Sequence, residues 1–114
     1  MSHPIAITDQ TFTAEVEQSP GLTVVDFWAA WCGPCRIIAP MLEQVAAERA
    51  GTVKVAKLDS DANPRVSARF NVRSLPTLLF FKDGKVVDQI IGAVPKARID
   101  AVVEKHAPRS AVAA

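Results

Sequence analysis

The residues of this chain best suited to chemistry are its only two cysteines, Cys32 and Cys35, in the segment 31–36. On a helix, residues three apart lie on nearly the same face, within reach of a disulfide. A thiol at the start of a helix faces free backbone N–H groups and the positive end of the helix dipole, and both favour the thiolate. Gly33 permits a tight turn, and Pro34 suits the first helical turn, where its missing N–H is not needed. The pair therefore predicts a reversible dithiol–disulfide centre at a helix start.

Two other chemistries use cysteines at this spacing. A structural disulfide across so short a loop would constrain the unfolded chain little. A tetrahedral zinc site would need two further ligands, and the two histidines, His3 and His106, lie near opposite ends of the sequence. We therefore favour redox chemistry over both alternatives, and we expect no metal.

A second group of interest is Asp26, a carboxylate within the apolar segment 22–28. Burial would remove water from the charged form and raise the pKa of the carboxyl. The alternative is a charge at a strand end that reaches solvent. Because apolar residues lie on both sides of Asp26, the pattern favours the buried interpretation.

The elements that must position these groups follow the order βαβαβαββα. Helical connections make the first three strands parallel, and Asp83–Gly84 predicts a two-residue hairpin between the last two. Thr8 and Asn63 are predicted N-caps of the first and third helices. The predicted strands are 5–7, 22–28, 53–58, 77–82 and 85–91. The predicted helices are 8–18, a helix that opens at Cys32 and continues over 36–49, 63–70 and 95–107.

Length and composition bound the organisation of the chain. Its 114 residues, 49% hydrophobic, fit a single domain over 1–107, and the small residues of 108–114 predict a frayed tail. A formal charge of +1 argues against a dedicated nucleic-acid or membrane surface. The sequence has neither a long apolar run nor the basic and apolar start of a secretory signal, so we expect a cytoplasmic protein.

The segment 26–35, Asp-Phe-Trp-Ala-Ala-Trp-Cys-Gly-Pro-Cys, resembles the active-site segment of the thioredoxin family. Lys57 after an apolar strand, Ser-Leu-Pro-Thr at 74–77, Asp83–Gly84 and Gly92 extend the resemblance in register from about residue 4 to residue 107. It implies the thioredoxin fold, an α/β fold whose central five-stranded mixed sheet has the order 1-3-2-4-5 and is flanked by four helices.

The resemblance also implies roles for individual residues. Cys32 would be the exposed attacking thiolate and Cys35 the shielded thiol that resolves the mixed disulfide. Asp26 would exchange a proton with Cys35, with Lys57 as its charged neighbour. The Leu75–Pro76 bond would be cis and lie beside the cysteines. Substrates would dock on a shallow, uncharged surface formed by Trp31, Gly33, Pro34, Leu75, Pro76, Gly92 and Ala93.

The implied activity is that of a monomeric protein-disulfide reductase, itself reduced by thioredoxin reductase, an NADPH- and flavin-dependent enzyme. The chain has no nucleotide-binding signature, so we expect no cofactor of its own. One rival is an oxidase or isomerase of the same fold, although such relatives usually carry His where this chain has Gly33–Pro34. Another is a non-catalytic binding module, which the presence of both cysteines and Asp26 argues against as the sole role.

Overall fold

The structure, a computed structural model, describes residues 3–107. Five strands form one mixed sheet in the order β1-β3-β2-β4-β5, as the resemblance implied, with β1, β3 and β2 parallel and β4 and β5 antiparallel. The predicted tail over 108–114 lies outside the described residues. The strands are β1 (Ile5–Ile7), β2 (Leu22–Trp28), β3 (Val53–Asp59), β4 (Thr77–Lys82) and β5 (Lys85–Ile91).

A π-helical turn and three α-helices connect and cover these strands, so the predicted count of four helices is confirmed for residues 3–107. The predicted opening of the second helix at the first cysteine is confirmed, since Cys32 is its N-cap residue, and the other α-helix ends agree within one residue. The helical elements are the π-helical turn Thr13–Glu17, α1 (Gly33–Glu48), α2 (Pro64–Arg69) and α3 (Lys96–His106).

The central strand β2 is buried on both faces, which explains its continuous apolar sequence. One face of the sheet packs on α1 and α3 through a core that includes Leu22, Val24, Ile38, Leu42, Ile99 and Val103. The other face packs on the π-helical turn and α2 through Phe12, Val16, Val25, Phe27 and Val66. Asp26 therefore lies in the sheet, the middle one of three layers, with helical elements covering both faces.

The first helical segment differs from the α-helix predicted over 8–18. Thr8 does act as a cap, because its Oγ1 accepts a hydrogen bond of 3.2 Å from the Thr11 N–H. Beyond this turn the helix is wider than an α-helix, because the Gln18 N–H donates its hydrogen bond to the Thr13 carbonyl, five residues earlier. In this arrangement Glu17 forms an ion pair with Arg69 of α2, a tertiary contact that periodicity does not encode.

Asn63 occupies the N-cap position of α2, as predicted, but its side chain makes no capping hydrogen bond. Instead, the Asp9 carboxylate accepts hydrogen bonds from the Val66 N–H at 2.9 Å and the Arg65 N–H at 3.1 Å. The Asn63 side chain is used elsewhere, since its Oδ1 accepts from the Asp9 N–H. These hydrogen bonds connect the segment after β1 to the start of α2.

We expect Asp9→Ala to lower the free energy of unfolding by about 1–2 kcal/mol, because two helix N–H groups lose their acceptor. Asp9→Asn keeps an acceptor oxygen and should lose less. Urea denaturation of the three proteins measures the difference. An unchanged midpoint in Asp9→Ala would show that water replaces the carboxylate without cost.

The predicted hairpin at Asp83–Gly84 is confirmed, and both residues have positive φ, 50° and 84°. Two successive positive φ values are what a tight turn with the twist of a hairpin requires. A side chain at Gly84 would also collide with the backbone of Glu17, so glycine is required there for space as well as conformation.

Candidate active site

Cys32 and Cys35 form a disulfide with their Cα atoms 5.3 Å apart. Cys32 occupies the N-cap position of α1 with extended backbone, and its Sγ accepts a hydrogen bond of 3.2 Å from the Cys35 N–H. The loop after β2 is closed by a hydrogen bond from the Cys32 N–H to the Ala29 carbonyl. The sulfur of Cys32 therefore lies where a helix N-terminus favours negative charge.

The disulfide is almost completely covered. Cys32 is 3% exposed and Cys35 is 4% exposed, so the prediction of an exposed first cysteine is wrong for the disulfide form. The cover comes from Trp28 and Leu75, which pack against the pair. Position on the helix, rather than exposure, distinguishes the two sulfurs in this form.

Asp26 is buried, as predicted, with 1% of its surface exposed. Burial raises the pKa of its carboxyl to about 7, and the positive charge of Lys57 opposes part of that rise. Lys57 lies directly opposite on β3, where it is the paired residue of Asp26. Within the described chain, Asp26 Oδ1 has no hydrogen-bond partner, so this oxygen is available to another group.

A cavity of about 190 Å³ brings Asp26, Lys57 and Cys35 together. The Lys57 ammonium lies 5.1 Å from the centre of the Trp28 ring, a cation–π distance that fixes the amine beside the cavity. The cavity is lined by residues of β2, β3, α1 and the loop between β2 and α1: Asp26, Trp28, Ala29, Ala30, Cys35, Arg36, Ala39 and Lys57. The Asp26 carboxyl and the second cysteine thus border the same space.

The residues predicted to dock substrate are only partly brought together by direct contacts. The Leu75–Pro76 bond is cis, as the resemblance implied, and the Pro76 carbonyl accepts a hydrogen bond of 2.9 Å from the Gly92 N–H. Leu75 packs against the disulfide. Trp31, Gly33 and Pro34 adjoin the cysteines along the chain, and Ala93 follows Gly92.

Exposure of this set is uneven. Trp31 is 68% exposed, and Pro34 and Ala93 are also exposed. Gly33, Leu75 and Gly92 are half-buried, whereas Pro76 is buried and supports the surface from beneath. The Trp31 indole N–H donates a hydrogen bond of 2.8 Å to Asp61 Oδ2. Asp61 was missed because an exposed aspartate in a loop has no sequence signal of its own.

Arg36 is a second residue that the sequence did not single out. It lines the cavity and donates a hydrogen bond from Nη1 to the Ala30 carbonyl at 2.6 Å. Its position directly after Cys35 was the available signal.

Two side chains away from this site, those of His106 and Arg69, make defined contacts. His106 Nε2 lies 2.9 Å from Asp88 Oδ2, and this hydrogen bond is the main cause that lowers the pKa of the Asp88 carboxyl. The Arg69 guanidinium lies 4.8 Å from the centre of the Phe70 ring and pairs with Glu17. Both contacts attach helices to the rest of the fold.

The thioredoxin family model matches residues 3–105 of this chain. The chain belongs to the thioredoxin family. Thioredoxin from Listeria monocytogenes is 52% identical over 100 residues, covering 88% of this chain and 95% of the relative. Thioredoxin 1 from Nostoc sp. (strain PCC 7120) is 46% identical over 106 residues, covering 93% and 99%, and thioredoxin from Staphylococcus aureus is 47% identical over 102 residues, covering 90% and 96%.

Membership of the thioredoxin family, together with the cysteine pair, makes this chain a thiol–disulfide oxidoreductase that reduces protein disulfides. Disulfide-containing substrates and a reductase partner are general to the family. Across residues 3–107, no helix has the length and apolar character needed to cross a membrane. The same residues contain no group of three or more side chains arranged to hold a metal ion.

Proposed function

We propose that Cys32 attacks the substrate disulfide, Cys35 resolves the product, and Asp26 takes the proton that Cys35 must lose. The Cys32 thiolate forms a bond with one substrate sulfur, and the other substrate sulfur leaves and is protonated. Cys35 then attacks Cys32 Sγ, and the second substrate thiol is released. The substrate gains two electrons, and the chain is left with the Cys32–Cys35 disulfide.

The observation that carries this assignment is the N-cap position of Cys32. Its sulfur accepts the Cys35 N–H and faces the positive end of α1, so its thiolate is the more stabilised of the two. Cys35 lies one turn inside the helix and lines the cavity. This difference supports attack by the first cysteine and resolution by the second.

Asp26 suits proton transfer because its pKa of about 7 is near the pH at which such chemistry operates. Its free Oδ1 and its place in the cavity beside Cys35 support the same role. Lys57 acts through its positive charge, which lowers the pKa of the Asp26 carboxyl. The carboxyl can therefore lose its proton within the working pH range. We assign Lys57 this electrostatic role and no direct contact with substrate.

Substrate would dock across Trp31, Gly33, Pro34, Leu75, Gly92 and Ala93, with Pro76 beneath them. None of these side chains carries a formal charge, so recognition would rest on shape, apolar contact and backbone hydrogen bonds. Such a surface accepts many extended peptide segments, which suits a reductase of varied protein disulfides.

We further propose that residues 1–107 form one domain and that the protein works as a monomer in the cytoplasm. Every group assigned here comes from a single chain, so the chemistry needs no second copy. The electrons for each new cycle would come from thioredoxin reductase, which draws them from NADPH through its flavin.

A coupled assay tests this proposal. NADPH, thioredoxin reductase and a disulfide protein should sustain NADPH consumption with the wild type and none above background with the Cys32→Ser/Cys35→Ser variant. Equal consumption by both proteins would place the redox centre elsewhere. No consumption by either would favour the binding module.

A further inference from the structure

Arg36 follows Cys35 on the first turn of α1, and its side chain reaches back over the start of the helix. The 2.6 Å hydrogen bond from its Nη1 ends on the carbonyl oxygen of Ala30. Ala30 belongs to the loop between β2 and α1, two residues before Cys32. A side chain on the helix therefore holds the loop that precedes the attacking cysteine.

The same hydrogen bond joins two parts of the cavity wall. Arg36 and Ala30 both line the cavity, and both are exposed to solvent. Asp26 lines it too but is 1% exposed. Arg36 and Ala30 thus form the outer wall, while Asp26 lies at the inner end.

We propose that Arg36 is a positioning residue that keeps this outer wall closed over Asp26 and Cys35 by holding the Ala30 carbonyl. The role rests on the proposed function, in which Asp26 accepts the proton of Cys35. A guanidinium suits the task because it stays charged at any working pH and offers several N–H donors in a fixed plane. Exclusion of water from the cavity would keep the carboxyl basic enough to act near neutral pH.

Arg36 has two possible modes of action on Asp26, and their effects on the pKa would have opposite signs. As a wall it would exclude water, which disfavours the carboxylate and raises the carboxyl pKa. As a cation it would favour the carboxylate and lower that pKa. The other charged residue lining the cavity is Lys57 on β3, while β4 places the apolar Leu78 beside Asp26. The sign of the change on removing Arg36 therefore separates the two effects.

The test is a titration of Asp26 in the oxidised protein, where the cysteines do not titrate. The ¹³C chemical shift of the Asp26 carboxyl carbon is measured at each pH. Arg36→Met keeps the apolar stem but removes the donors and the charge. It should lower the pKa of Asp26 by about one pH unit, a fraction of what complete burial produces. Arg36→Lys, which keeps a donor and the charge, should restore most of the wild-type pKa.

Arg98→Met is the matched control, because it removes one exposed arginine from α3 with no part in the cavity wall. It should leave the pKa of Asp26 unchanged. A pKa in Arg36→Met that is equal to or above the wild-type value would overturn the inference, since the wall would then contribute no more to the pKa of Asp26 than the charge of Arg36 does.

A kinetic arm separates this inference from the proposed function. Asp26→Asn should slow the release of substrate from the mixed disulfide. If it does not, the role of Asp26 is wrong whatever Arg36 does. If Asp26→Asn slows release while Arg36→Met leaves the pKa of Asp26 unchanged, only the inference about Arg36 is wrong.

Discussion

Cys32→Ser is expected to abolish attack on substrate disulfides, whereas Cys35→Ser is expected to attack once and remain covalently bound to its substrate. The first variant lacks the sulfur at the helix N-cap, where the thiolate is stabilised. The second keeps that sulfur but lacks the group that displaces the substrate. Both should lose essentially all turnover, for different reasons.

A non-reducing gel after incubation with a disulfide protein distinguishes the two variants. A band at the combined mass should form with Cys35→Ser and disappear on addition of dithiothreitol. The double variant is the control for non-covalent association. Adducts with Cys32→Ser but none with Cys35→Ser would reverse the assignment of the two cysteines.

Asp26→Ala is expected to make the protein more stable than the wild type at neutral and alkaline pH, and to slow its chemistry. In the folded protein, burial raises the pKa of Asp26 to about 7 from an ordinary value of 3.8. Between these values the native state holds a proton that the unfolded state has released. The free energy of unfolding of the wild type should therefore fall as pH rises from 3.8 to about 7, and then level off.

The size of this effect follows from the pKa difference. About three pH units at roughly 1.36 kcal/mol each amounts to about 4 kcal/mol of lost stability above pH 7. The void left by Asp26→Ala offsets about 1–2 kcal/mol of that. A net gain of roughly 2–3 kcal/mol should remain above pH 8, disappear at about pH 5 and become a loss of roughly 1 kcal/mol near pH 4, where only the void remains.

Urea denaturation from pH 4 to pH 9 gives the difference between the variant and the wild type at each pH. Glu43→Ala, which removes an exposed carboxylate from α1, is the control for the loss of a carboxylate that is not buried. Release of substrate by Asp26→Ala should be slower on the order of 100-fold, the lower end of what general base catalysis contributes. If Asp26→Ala is less stable at every pH and turns over normally, Asp26 is a structural residue.

The strands and the cysteine turn could be predicted because each is encoded locally. The segment 22–28 is short and almost continuously apolar, which predicts a strand covered on both faces, and β2 is covered in this way. Asp83–Gly84 satisfies a backbone requirement that few other pairs meet. The sheet order came from the resemblance, because periodicity does not determine which strands are neighbours.

The remaining features depend on contacts between distant parts of the chain. Asp9 supplies the side-chain acceptor for α2 across more than fifty residues, whereas Asn63 holds the predicted N-cap position without a capping hydrogen bond. The widened turn at Thr13–Glu17 and the hydrogen bond from Arg36 to Ala30 likewise arise from three-dimensional packing. For the same reason the pairing of Trp31 with Asp61 could not be anticipated.

The most direct test of the central claim is a single turnover without reductase. The reduced protein is mixed with an equal amount of a substrate containing one disulfide, quenched by acid and analysed by mass spectrometry. We predict two new thiols in the substrate for each Cys32–Cys35 disulfide formed, with no adduct remaining. A substrate that keeps its disulfide while the two cysteines stay reduced would contradict the assignment of this chain as a protein-disulfide reductase.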